Sequence, residues 1–166
     1  MVVVQLACVV AGCGRVGFDS EVASSVDATT DVRDGSPGGP DATAAPANRA
    51  FVTSTTYLGD LGGLDGADAK CQARAVAAGL DGQFTARLRT SLVEAADRMN
   101  GARGWRDLQG RPIADLATDW AGGQLIYPMV VDEFGAIVPG DRSVWTGEAS
   151  FGNTCGDWTL ATVGDL

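Results

Sequence analysis

The run from Gly66 to Leu88 constrains this chain more than any other feature. Gly66-Ala67-Asp68-Ala69-Lys70-Cys71-Gln72 continues through Ala75 to Gly79-Leu80-Asp81-Gly82-Gln83-Phe84-Thr85-Ala86-Arg87-Leu88. Leu64, Ala67, Cys71, Ala75 and Ala78 recur at spacings of three and four, which lays them on one face of a helix. Small residues dominate that face, so the helix must lie close against its neighbour. Asp65 is placed to cap its start, and Gly79 to end it, because glycine takes the left-handed conformation without a clash. Phe84, Ala86 and Leu88 then alternate with Thr85, Arg87 and Arg89, as a half-buried strand requires.

The rest of the folded region reads as short elements. Ala50-Phe51-Val52-Thr53-Ser54 is β-branched and aromatic and should be the opening strand. Ser91 is placed to cap a second short helix over Leu92 to Met99. Trp105-Arg106-Asp107-Leu108-Gln109-Gly110 ends in a turn, and Ala114 to Trp120 makes a short helical turn. The apolar run Leu125 to Val131 ends at Asp132-Glu133-Phe134-Gly135, a hairpin corner. Ser143 to Gly147 reads as a core strand, and Cys155-Gly156-Asp157-Trp158 follows.

Residues 1–13 form an apolar stretch too short to span a bilayer. It closes on Val10-Ala11-Gly12-Cys13, small residues directly before a cysteine, the pattern of a bacterial lipoprotein signal with the lipid on the Cys13 thiol. No Lys or Arg precedes the apolar run, and Cys8 is the weaker candidate because Gln5 and Leu6 stand before it. A lipid on Cys13 would anchor the protein to a membrane without spanning it. Residues 14–48 are rich in Ser, Asp, Ala, Thr, Gly and Pro and read as a disordered tether, since they cannot bury enough apolar surface to offset their ordering entropy. Residues 49–166 hold all 4 Trp and both Tyr, enough for the core of one small domain. That domain carries 10 Lys/Arg against 15 Asp/Glu within a chain of net charge −9. Scattered arginines in an acidic domain argue against nucleic acid or an anionic glycan as a partner.

Four motifs now stand in order: Gly-Ala-Asp-x-x-Cys-Gln, Gly-Leu-x-Gly-x-Phe-x-Ala-x-Leu, Val-Trp-x-Gly and Cys-x-x-Trp. Together they resemble endostatin, the C-terminal domain of basement-membrane collagens. They resemble still more closely a domain of unknown function found in exported bacterial lipoproteins, notably those of myxobacteria. The resemblance spans nearly all of Phe51 to Trp158. Its motif positions in this chain are Gly66, Ala67, Asp68, Gln72, Gly79, Phe84, Trp145, Gly147 and Trp158. It implies an α+β, C-type-lectin-like fold, two helices flanking a twisted antiparallel sheet with long loops. In such domains the first cysteine bonds the last and the inner two bond each other, on closing C-terminal strands. Cys71 matches the first and Cys155 the second, and neither partner follows. The resemblance therefore implies an incomplete domain with Cys71 and Cys155 as free structural thiols and one sheet edge left unpaired.

Histidine is absent, which removes the commonest general base and metal ligand together. The zinc-binding histidines of endostatin have no counterpart here. Arg87, Arg89, Arg98, Arg103 and Arg106 are interspersed with acids rather than clustered as on its heparin-binding face. Asp132 and Glu133 with Asp141 and Glu148 are either oxygen ligands for calcium or acidic loop residues in water. As a glycosidase pair Asp132 and Glu133 fail, because neighbours in an extended segment point to opposite sides. Trp105 and Trp120 lie in loop-like stretches and, with Asp132 and Glu133, are the candidates for a ligand loop. The expectation is an exported, surface-anchored lipoprotein that binds or adheres through its loops, without catalytic residue, metal or cofactor. Its partner would be an unknown protein or glycan, with the membrane reached only through the lipid. An envelope structural protein and a carboxylate-based hydrolase are the alternatives.

Overall fold

The computed structural model describes residues 3–4, 7–10, 48–121, 123–139, 144–148 and 154–161. Cys13, Asp141 and residues 14–47 of the expected tether lie outside the described residues.

The chain is mixed α+β. Strand β1 (Val3–Val4) pairs antiparallel with β4 (Tyr57–Leu58). Strands β2 (Ala7–Val10), β3 (Arg49–Val52), β5 (Thr85–Ala86), β6 (Arg103–Arg106) and β7 (Pro112–Leu116) make a five-stranded sheet in the order β5-β2-β3-β6-β7. Within this sheet β3 and β6 run parallel, meeting at Arg49 and Arg106, and the other described pairs run antiparallel. Helix α1 (Gly63–Ala77) is the long helix, α2 (Ala117–Ala121) a short one, and Cys155–Trp158 forms a single left-handed turn, α3.

Neighbouring residues of a strand face opposite ways, and β3 uses both faces. Phe51 enters a core with Cys8, Leu61, Ala67, Cys71, Ala75, Phe84, Ala86, Leu88 and Trp158. Ala50 enters another with Met99, Trp105, Ile113, Ala114, Ala117 and Trp120. Ala67, Cys71 and Ala75 of α1 are fully buried, the small-residue face that lets the helix come close to the sheet. The helix starts two residues before Asp65, with Gly62 as its cap, because the Gly66 amide already bonds the Gly62 carbonyl at 3.3 Å. Asp65 instead adds a favourable charge to the first turn.

The structure corrects several expectations. Cys71 is not a free thiol; it is bonded to Cys8, with their Cα atoms 5.4 Å apart. Cys8 reaches it because Ala7–Val10, read as part of a segment separate from the domain, is the strand that joins β3 to β5. The N-terminal strands and the residues from 48 onward belong to one compact unit. Cys155 is free and buried. The second helix shrinks to a 3₁₀ turn over Asp97–Met99, since the Thr90 hydroxyl accepts from the Leu92 and Val93 amides and ties those residues into a loop. Ala114 to Leu116 is strand before α2 begins, because β7 pairs with β6 and sets Ala114 opposite Trp105. Of the strand expected over Ser143 to Gly147, the described part contributes one bridge at Val144.

Candidate functional site

Asp68 and Gln72 stand one helical turn apart and so share a face of α1. Asp68 accepts from the Ala86 amide at 2.8 Å and from the Arg98 guanidinium at 2.6 Å. Gln72 accepts from the Phe84 amide at 2.8 Å and donates to the Gly82 carbonyl at 3.3 Å. These side chains thus supply partners for backbone that β5 leaves unpaired on its outer edge. Gly66 lets the chain entering α1 fold close over its first turn, because a Cβ there would lie 2.0 Å from the Leu61 carbonyl oxygen. Trp158 makes a similar joint: its indole donates to the Arg89 carbonyl at 2.7 Å, and its carbonyl accepts from the Leu61 amide at 2.8 Å. Gly147, at φ 75, lets the Trp158 ring pass, since a Cβ would stand 3.1 Å from it. Trp158 is fully buried and Trp145 half-buried beside the same core.

The residues expected in a ligand loop turn inward. Glu133 is 1% exposed and accepts from the Ser54 amide at 2.8 Å and its hydroxyl at 2.6 Å, with the Arg74 guanidinium paired to the same carboxylate. Burial pushes the Glu133 carboxyl upward, and these hydrogen bonds more than offset it, leaving its pKa below the ordinary value. Asp132 accepts from the Phe134 and Ala136 amides at 3.0 and 2.9 Å, fixing the hairpin corner as an Asx turn. Trp105 and Trp120 are not loop residues open to a ligand. They pack edge to face with ring centres 5.7 Å apart in the core, because β6 and α2 carry them there.

Glu148 pairs with Arg87, whose side chain is 1% exposed and lies 4.8 Å from the Trp120 ring centre. Burial lowers the Arg87 pKa, and the Glu148 hydrogen bond and charge oppose the shift. The other arginines are spent similarly: Arg89 on Glu94, Arg98 on Asp68, Arg103 on Asp115, and Arg106 on the Gly110 carbonyl. Asp132, Glu133 and Glu148 therefore each have their own partners. Among the described residues no group of three or more His, Cys, Asp or Glu is arranged to hold a metal ion. Burial raises the pKa of the Cys155 thiol, which keeps it protonated and a poor nucleophile. Among the described residues no helix is long and apolar enough to cross a membrane.

Leu92 and Val76 are singly exposed elsewhere, whereas the segment 125–137 carries several exposed apolar side chains close together in sequence. Ile126, Phe134 and Ile137 are 60%, 60% and 59% exposed, and Tyr127 and Leu125 are partly so. The segment is nonetheless fixed. The Ile126 amide bonds the Ile113 carbonyl at 2.8 Å, Gln109 donates to the Gly135 carbonyl at 2.8 Å, and the Val138 amide bonds the Val130 carbonyl at 2.8 Å. Arg111 lies over Tyr127 and Arg74 over Phe134. Ile126 also borders a hollow of about 180 Å³ with Trp105, Arg106, Pro112 and Asp115. A larger hollow of about 400 Å³ is lined by Asp97, Asn100, Leu116, Ala117 and Thr118 among others. Sequence reading missed this surface, because an apolar run has the same pattern whether it is buried or exposed. No family model, curated protein or solved structure matches the chain.

Proposed function

We propose that this protein is a non-catalytic binding or adhesion module, exported to the bacterial cell envelope and acting through its loops on a protein or glycan partner. The observation that carries the reading is the fixed segment 125–137 with its exposed Ile126, Tyr127, Phe134 and Ile137. Several large apolar side chains exposed on one held segment fit a partner surface better than they fit water. Aromatic rings beside arginines, as at Tyr127 with Arg111, suit both sugar faces and apolar protein surface. The Cys8–Cys71 disulfide supports export, since such bonds persist in oxidising compartments. A C-type-lectin-like, endostatin-like fold is the finer reading of the α+β architecture; the Asp68, Gln72, Gly147 and Trp158 joints at its motif positions support it.

Binding of the purified protein to glycan and protein arrays tests the function. Signal that falls at least tenfold in Ile126→Ser/Tyr127→Ser, with unfolding midpoint unchanged, is the expected result; no ligand on either array sinks the reading. Attachment through a lipid on Cys13 is the localisation that the sequence offers. The disulfide favours a second reading of the N-terminus, because maturation of a lipoprotein at Cys13 includes cleavage just before that residue and would remove Cys8.

A further inference from the structure

One strand of the sheet coincides with the segment that reads as a removable export signal, and a single molecule cannot use it both ways. We propose that the cleft between β3 and β5 is a strand-acceptor site whose resident occupant is this chain's own Ala7–Val10, kept in the mature protein and latched by the Cys8–Cys71 bond. The inference is independent of the ligand that the 125–137 surface takes.

The cleft is built for a strand on both sides. Ala7, Cys8, Val9 and Val10 stand opposite Val52, Phe51, Ala50 and Arg49 of β3, while Cys8 and Val9 stand opposite Ala86 and Thr85 of β5. Removing the strand would strip ladder partners from two strands at once, and unpaired buried backbone is strongly disfavoured. The register also selects the side chain. Cys8 is fully buried in one core with Phe51, Ala86 and Cys71, which are themselves fully buried. Cys71 stands on the inner face of α1 between Ala67 and Ala75, and its sulfur meets the sheet at this strand position, where it bonds Cys8. The latch forms when the two thiols lose two protons and two electrons to a protein disulfide oxidant, which becomes a dithiol.

Mass spectrometry of the protein purified from producing cells, alkylated without reductant and digested with trypsin, decides the matter. The expected result is a peptide that contains Cys8 and ends at Arg15, joined to the peptide Cys71–Arg74. A chain beginning at Cys13, or a Cys71 that alkylates in a chain retaining residue 8, overturns the proposal. An array signal from a chain beginning at Cys13 would overturn the strand assignment while leaving the binding reading standing. In the full-length protein, Cys8→Ser and Cys71→Ser should each lower Tm by roughly 10 °C, and the double variant no further. A Cys8→Ser protein with unchanged Tm would speak against the latch; should the variants fail to fold, the peptide map of the unaltered protein still decides.

Discussion

At the scale of single residues, function in this fold depends on positions where one atom too many or one charge too few breaks a joint. Gly66→Ala would drive a methyl group into the Leu61 carbonyl, at 2.0 Å in the unrelaxed backbone. Backbone cannot yield as a flexible side chain would, so the substitution should lower stability by about 3 kcal/mol in urea unfolding. Arg87 and Glu148 are a buried pair whose members depend on each other. Arg87→Met leaves the Glu148 carboxylate without its counter-charge and should cost about 3 kcal/mol, whereas Arg87→Met with Glu148→Leu should recover much of that loss. A double-mutant cycle by chemical denaturation measures both. The Glu133 pKa lies below its unfolded value, so the folded state binds its proton less readily. Its contribution is therefore complete above the unfolded carboxylate pKa, about 4.3, and is lost as pH falls through the lower folded value. The drop in urea midpoint from pH 7 to pH 3 should be visibly smaller in Glu133→Gln than in the parent protein.

At the scale of elements, α1 and β5 behave as one unit because the helix supplies hydrogen bonds that the two-residue strand lacks. Asp68→Ala orphans the Ala86 amide and breaks the Arg98 ion pair in one step, leaving Arg98 only its bond to the Ala86 carbonyl, and should destabilise by about 2 kcal/mol. Hydrogen exchange is the sharper readout, since the Ala86 amide should exchange faster while amides in β7 stay as protected as before. The helix-stop-strand run was legible in sequence for a local reason: a 3.6-residue period, a glycine and a two-residue period fall within about one supersecondary unit. The failed second helix has an equally local cause that periodicity does not report, the Thr90 hydroxyl capturing two amides. The sequence around Trp105 has the look of a loop because β6 is only four residues long, with Arg103, Gly104 and Arg106 exposed around it. Such a strand owes its existence to pairing with β7 rather than to its own pattern.

At the scale of the whole molecule, two cores back onto one sheet, and the proposed binding segment is held outside them. Its grip on the body lies in Glu133, tied to Ser54 and Arg74, and in buried Val131, so the loop is fixed from beneath while Ile126, Tyr127, Phe134 and Ile137 reach solvent. Phe134→Ser should therefore weaken partner binding severalfold with an unchanged thermal midpoint, whereas Glu133→Ala should lower both. Binding isotherms and thermal melts on the same preparations separate the two. What the sequence determined by itself was set by short-range chemistry: a small-faced helix, its glycine end, the strand after it, the hairpin corner at Asp132, and the absence of histidine chemistry. What only the tertiary structure decided was pairing across distance. Cys8 meets Cys71 although 63 residues separate them, and Glu133 meets Arg74 across 59. Composition says which groups want partners; the sheet order and the register of each strand decide which partner arrives, and local pattern carries neither.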